Sequence, residues 1–259
     1  MKRIVIKVGS STITHKSGLL NLKKVEELTK VISDLSNMGM QTILVSSGAV
    51  AAGMGRMNMN EKPDSVPEKQ ALASIGQCEL MYIYDKFFSQ FGKVVAQMLM
   101  TKRVLEVDML RQNAIRTLNQ LLSYNVVPII NENDSVATEE LVYGDNDTLG
   151  AITAELIQAD LLLVLSDIDG LYDKNPNMHA DAKLIPVVDE ITCDIEAMAE
   201  DTSTKVGTGG MITKLQAAKI ATEANCDMII CNSKDLRVIY DAVEGKQVGT
   251  LFKRRSSYE

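Results

Sequence analysis

The chain has 259 residues, 46% of them apolar, enough to bury a large core as one α/β domain or as two lobes of one unit. A disordered or fibrous chain is excluded by that composition. With 34 acidic against 27 basic residues the formal net charge is −7, so the surface as a whole attracts neither nucleic acid nor an anionic membrane, and the run Lys253-Arg254-Arg255 is too short to change this. Four cysteines without a CxxC pair and two histidines far apart in sequence argue against structural zinc. The apolar N-terminal stretch is broken at Lys7 and the longest aliphatic run covers only 161–165, too short for a secretory leader or a membrane span. The expectation is a cytoplasmic protein with reduced thiols, no membrane and no nucleic-acid partner.

Short β-branched runs alternate with segments of helical period, the pattern of βα units around a mostly parallel sheet. Strands are predicted at 3–8, 41–46, 93–98, 126–130, 161–165 and 227–231, apolar enough throughout to be buried on both faces. Between the first two, Leu22, Val25, Leu28, Ile32 and Leu35 recur at helical spacing and Gly39 follows as a stop. Further helices are predicted at 68–90, 106–123, 147–158 and 211–224, and the least regular stretches are 55–67, 133–145 and 170–210. No linker divides the chain into independent domains. In open α/β sheets ligands bind beyond the carboxyl ends of the strands, so the residues that follow each strand carry the functional information.

The first strand delivers Lys7-Val8-Gly9-Ser10-Ser11. Alone, Lys7 reads as a strand-end lysine snorkelling to solvent, yet a lysine beside a glycine turn also meets the needs of phosphate oxygens. Ser46-Ser47-Gly48-Ala49 follows the second strand and offers backbone N–H groups at a helix start. A serine nucleophile is the competing reading, but Val45 replaces the first glycine of Gly-x-Ser-x-Gly and neither histidine stands in a triad context. The fourth strand runs into Asn131-Glu132-Asn133-Asp134, and Gly144-Asp145-Asn146-Asp147 precedes a helix. Such residues are ordinary caps and turn formers; two clusters bracketing one loop also supply acceptors for an ammonium, amide donors for a carboxylate and a carboxylate to orient lysines. Ser166-Asp167-Ile168-Asp169-Gly170 ends the fifth strand and lacks the third ligand position of an EF-hand. Gly207-Thr208-Gly209-Gly210-Met211-Ile212-Thr213-Lys214 opens a helix but is neither a Walker A loop nor a dinucleotide fingerprint. Two lysines, two glycine turns and clustered acids together point to phosphoryl transfer.

KVGSS, VSSGAVAAG, PIINENDSV, GDNDTLGA, LLLVLSDIDGLY and GTGGMITKLQAA occur in an order and spacing that resemble the amino acid kinase family across essentially the whole chain. The resemblance implies a three-layer αβα sandwich on a mainly parallel sheet, with an acceptor-binding lobe over about 1–160 and a nucleotide-binding lobe over about 161–259. It implies ATP-dependent phosphorylation of the glutamate γ-carboxylate, the first step of proline synthesis, with Mg²⁺ carried mainly by phosphates and water. Carried over position by position, Lys7 and Lys214 are expected to stabilise the transferring phosphoryl group and Asp147 to hold them in place. Ser47, Asp134 and Asn146 are expected to bind glutamate. Lys7, Gly9, Gly48, Ser166, Asp167, Thr208, Gly209, Gly210, Met211, Ile212, Thr213 and Lys214 are expected at the ATP site. Ser166 stands where many members have threonine, and Ile212 replaces a common serine. The chain ends shortly after Gly249-Thr250-Leu251-Phe252, where many bacterial members continue into a PUA domain; catalysis is expected to survive this. The family likeness favours a homo-oligomer, dimer or tetramer.

A sister kinase of the same fold is the nearest alternative, acting on another small carboxylate, a nucleoside monophosphate or an isopentenyl phosphate. A phosphate-bearing acceptor calls for basic residues in the acceptor loop, whereas 132–147 carries Glu132, Asp134, Glu139, Glu140, Asp145 and Asp147 with no Lys or Arg. A non-catalytic nucleotide-sensing module is the alternative from another class, and the presence of both lysines and Asp147 ranks it below an enzyme.

Overall fold

The computed structural model describes residues 2–15, 17–59, 61, 63–101, 103–137, 146–202 and 210–255. The chain divides into two compact units, one formed by Val8–Asn146 and the other by Lys2–Lys7 with Asp147–Glu259.

In the first unit three parallel strands, β2 (Gln41–Ser46), β3 (Val95–Met100) and β4 (Val127–Glu132), lie in the order β3-β4-β2, with Leu44 opposite Ile129 and Met98 opposite Ile130. Its helices are α1 (Ser10–Ile13), α2 (Leu22–Asn37), α3 (Ala49–Arg56), α4 (Val66–Gln90), α5 (Arg103–Glu106) and α6 (Asp108–Ser123). In α2 the Asn21 side chain accepts from the Lys24 N–H, and Val25, Leu28, Ile32 and Leu35 form the buried face. α4 starts with a reciprocal capping box between Ser65 and Glu68. α3 and α4 meet at backbone distance: a Cβ on Gly53 would stand 2.0 Å from the Leu72 carbonyl oxygen, and one on Gly76 would stand 1.8 Å from that of Ala49. Small residues at these points let α4 lie directly against the turn that leaves β2.

The second unit holds β1 (Arg3–Val8), β5 (Leu161–Ser166), β6 (Val187–Val188), β7 (Asp227–Asn232) and β8 (Thr250–Phe252) in the order β1-β5-β7-β8-β6. β5 and β7 are parallel, with Leu165 opposite Cys231; β8 runs antiparallel to β7 and parallel to β6. Its helices are α7 (Asn146–Leu156, entering the unit at Asp147), α8 (Cys193–Thr202), α9 (Met211–Glu223) and α10 (Val238–Val243). Among the described residues no helix is long and apolar enough to cross a membrane.

The predicted strands all form, but β3 begins two residues later than expected. Lys93 is drawn out of it, donating its backbone N–H to the Phe88 carbonyl at 3.0 Å and its ammonium to Ser36 Oγ at 2.8 Å. β6, β8, α1, α3, α5, α8 and α10 are additions to the expected elements.

β8 does more than extend the sheet between β7 and β6. Thr250 is fully buried, its hydroxyl accepting from the Leu171 N–H at 2.8 Å and donating to the Ile185 carbonyl at 2.6 Å, which closes the base of the 171–185 excursion. A Cβ on Gly170 would lie 2.4 Å from that hydroxyl. Thr250→Val keeps the shape and removes the hydroxyl, leaving a buried N–H and C=O unpaired. We expect a loss of roughly 1–3 kcal/mol, read as a lower denaturant midpoint at unchanged m-value, with Thr250→Ser losing less. An unchanged midpoint for Thr250→Val is the contrary result.

Candidate active site

In the first unit the chemistry gathers where β2 and β4 end. Side chains alternate along a strand, so neighbouring serines face opposite ways. Ser46 turns into the core and shares a 2.8 Å hydrogen bond with Tyr84, whose phenol burial pushes well above its ordinary range. Ser47 faces the site and accepts from Asn146 Nδ2 at 2.7 Å. Neither of these hydrogen bonds involves a histidine. The same Asn146 amide donates to Asn131 Oδ1 at 3.0 Å, and Asn131 Nδ2 donates to Gln77 Oε1 at 2.9 Å. Asn146 Oδ1 is buried and has no partner among the described residues. Gly48 begins α3 in the left-handed conformation (φ 101°), which glycine adopts without strain, and Gly9 precedes α1. Asp134 is half-buried in the turn after β4, a turn tied to α4 by a 2.7 Å bond from Ser74 Oγ to Ser135 Oγ.

In the second unit two lysines share one carboxylate. Lys7 near the end of β1 lies 2.5 Å from Asp147 Oδ1, and Lys214 in the first turn of α9 lies 3.0 Å from Asp147 Oδ2. All three are buried, Asp147 completely. Gly150, one turn along α7, would place a Cβ 3.4 Å from Lys7 Cβ, at ordinary packing distance from the lysine stem. Gly210 begins α9 without a side-chain cap, and Thr213 Oγ1 donates to its carbonyl at 2.8 Å. Met211 is buried and Ile212 is exposed. At the ends of β5 and β7, Ser166 donates to Asp167 Oδ1 at 3.2 Å, and Asp169 is held by Asn232 Nδ2 at 2.7 Å and by the Tyr172 hydroxyl at 3.0 Å.

The structure therefore joins Lys7, Asp147 and Lys214 in one cluster and Ser47 with Asn146 in another. Thr208 and Gly209 lie outside the described residues, as do Glu139, Glu140 and Asp145 of the acidic loop. Sequence reasoning passed over Gln77, a polar position on an amphipathic helix with no local mark, and left Asn131 unassigned within the Asn-Glu-Asn-Asp run. The strand-end position of Asn131 was a usable signal. The described residues include no group of three or more His, Cys, Asp or Glu side chains able to cage a metal ion.

Residues 2–232 match the model of the amino acid kinase family. The chain is 47% identical to a glutamate 5-kinase from Clostridium perfringens (strain 13 / Type A), over 97% of this chain and 95% of the relative. To a glutamate 5-kinase from Listeria innocua serovar 6a it is 50% identical, over 97% and 92% of the two chains. Among solved structures it resembles the UMP kinase from Ureaplasma parvum, with a TM-score of 0.66, 15% identity and coverage of 97% and 98%. The UMP kinase from Bacillus anthracis gives a TM-score of 0.66 at 16% identity, with coverage of 98% and 97%. At such identity these structures bear on the fold, a mainly parallel sheet flanked by helices.

Two opposed effects act on Asp147. Burial alone would raise its pKa, but the ammonium groups of Lys7 and Lys214 outweigh it and hold the carboxyl below the ordinary value of 3.8. A depressed folded-state pKa contributes stability that is present above the unfolded value and lost as pH falls through the folded one. Asp147→Asn leaves two buried ammonium groups facing each other, at an expected cost of about 3–5 kcal/mol near neutrality. The gap in denaturant midpoint between variant and wild type should start to narrow as pH falls below about 4, where the unfolded wild-type carboxyl takes up its proton, and go on narrowing until pH passes the depressed folded-state value, below which the contribution of the charge is lost. A gap that stays the same size from pH 7 to about pH 2 would show that the charge of Asp147 is not what holds the cluster.

Proposed function

Because this chain belongs to the amino acid kinase family, we propose that its buried Lys7–Asp147–Lys214 cluster is the phosphoryl-transfer centre of a glutamate-phosphorylating enzyme. The reaction is transfer of the ATP γ-phosphoryl group to the side-chain carboxylate of L-glutamate, giving γ-glutamyl phosphate and ADP, the first step of proline biosynthesis. A glutamate oxygen attacks the γ-phosphorus in line, the bond to the β,γ-bridging oxygen breaks and ADP departs with that electron pair. The observation that carries this reading is one buried carboxylate shared by two buried lysines.

Transfer of this kind is governed by positioning and by neutralising charge on the phosphoryl oxygens, and it needs no enzyme nucleophile. Lys7 and Lys214 supply that charge as donors aimed in advance by Asp147. Asp147 is not a general base, since a carboxylate acceptor is already ionised at neutral pH. Gly9, Gly48 and the Thr208–Lys214 segment bring backbone N–H groups to the phosphates, and Ser166 and Asp167 hold the rest of the nucleotide. A kinase of this class works with a divalent cation, for which Mg²⁺ is our assignment. Such an ion would be carried mainly on phosphate oxygens and water. When bound, the cation supplies further neutralisation of phosphate charge.

Ser47 and Asn146 bind the acceptor, and Asp134 pairs with its α-ammonium. On this reading the Val8–Asn146 unit carries the acceptor site and the Asp147–Glu259 unit most of the nucleotide site. The family likeness supports a homo-oligomeric assembly, dimer or tetramer, which light scattering would size.

Coupled ADP release measures the activity directly. Lys7→Met and Lys214→Met should each lower kcat by roughly 10²- to 10⁴-fold while the purified proteins remain folded; near wild-type turnover would remove the lysines from the mechanism. Acetylglutamate lacks the ammonium that Asp134 is assigned to meet, a loss of about 2–5 kcal/mol, whereas aspartate differs by one methylene, about 1–3 kcal/mol. The expected order of kcat/KM is glutamate, then aspartate, then acetylglutamate, and use of acetylglutamate equal to that of glutamate would defeat the assignment.

A further inference from the structure

We propose that Gln77 is a positioning residue of the acceptor site: its side-chain carbonyl fixes the orientation of the Asn131 and Asn146 amides, so that the site presents an acceptor oxygen to the substrate ammonium. This rests on the acceptor role given above to Ser47 and Asn146.

The direction of each hydrogen bond sets the polarity of this relay. Gln77 Oε1 accepts from Asn131 Nδ2 at 2.9 Å, which turns Asn131 Oδ1 the other way, where it accepts from Asn146 Nδ2 at 3.0 Å. Asn146 Nδ2 also donates to Ser47 Oγ at 2.7 Å, so both of its hydrogens are committed. What remains is Asn146 Oδ1, buried and without a partner among the described residues. A buried carbonyl oxygen left unpaired is costly, and a ligand N–H is the group that satisfies it.

An amide presents a donor at one end and an acceptor at the other, so a chain of amides has two possible polarities. Remove the acceptor at Gln77 and Asn131 is free to turn over, which would turn Asn146 with it and offer N–H groups where the oxygen had been. A donor there would repel an ammonium. Gln77 is thus distant from the substrate in bonds but sets which end of Asn146 the substrate meets. It stands where it does because of backbone packing: Gly76, its neighbour in α4, lets that helix approach the Ala49 carbonyl at the start of α3 more closely than any side chain would allow. One turn earlier on the same face, Ser74 holds Ser135 in the turn that carries Asp134. α4 thereby touches the acceptor loop at two points.

The test compares Gln77→Met, which removes the acceptor, with Gln77→Glu, which keeps an acceptor-only oxygen at the same reach. Gln77→Met should raise the KM for glutamate roughly 3- to 30-fold, the scale of one lost bond in a buried polar network, with much smaller changes in kcat and in the KM for ATP. Gln77→Glu should recover most of that loss. Equal loss in both variants, a rise of the two KM values together, or an unchanged KM for glutamate in Gln77→Met would each overturn the proposal. The side-chain ¹⁵N amide resonances of Asn131 and Asn146 give a readout independent of substrate. They should shift in Gln77→Met and stay near their wild-type positions in Gln77→Glu; unmoved resonances in Gln77→Met overturn the relay. Absence of glutamate turnover by the wild-type enzyme would instead overturn the substrate assignment, and the resonances would still decide the role of Gln77.

Discussion

Much of the second unit's functional geometry depends on one carboxylate holding two cations. Asp147 fixes Lys7 from β1 and Lys214 from α9, so a strand and a helix far apart in sequence are registered against α7 by charge as well as by packing. Buried ion pairs are poor sources of net stability, because desolvating each charge offsets most of the attraction. The arrangement makes sense as something held ready: when an anion arrives, donors already fixed by Asp147 need little reorganisation.

Part of what looks like chemistry in the sequence is packing. Within VSSGAVAAG, Ser47 and Gly48 belong to the site, while Gly53 serves the contact of α3 with the Leu72 carbonyl. Gly55 does the same against Gly18, where a Cβ would meet backbone atoms at 2.8 Å. Such contacts are indirect contributors to function, since they decide how close α4 comes to the β2 turn and hence whether Gln77 reaches Asn131.

The buried strands were legible because both of their faces are covered, which writes them as unbroken apolar runs such as Leu161–Leu165. β6 and β8 were not, being two and three residues long with no periodicity to detect. α3 was hidden by its glycines, which are poor helix formers kept there for close approach. Lys7, Asp147 and Lys214 were visible as separate strand-end and helix-start residues, and sequence order alone does not tell that the lysines share a carboxylate. Gln77 was beyond reach: nothing local distinguishes it from any other half-exposed glutamine on a long helix, and its role exists only through partners from β4 and α7.

The second unit is discontinuous along the chain, and this bears on how the protein is made. The start of β1 is clamped to the turn before β5: the Arg3 N–H donates to the Asp160 carboxylate at 2.7 Å, a contact spanning 157 residues, and the Asp160 N–H returns a bond to the Arg3 carbonyl at 2.9 Å. At about 5–20 residues per second, the ribosome releases β1 roughly 8–30 s before the turn that clamps it has been translated. For that interval the edge of β1 that will pair with β5 has no partner in the nascent chain, a state that invites misassociation. The Val8–Asn146 segment is translated first, so the growing polypeptide carries an N-terminal strand most of whose own unit does not yet exist.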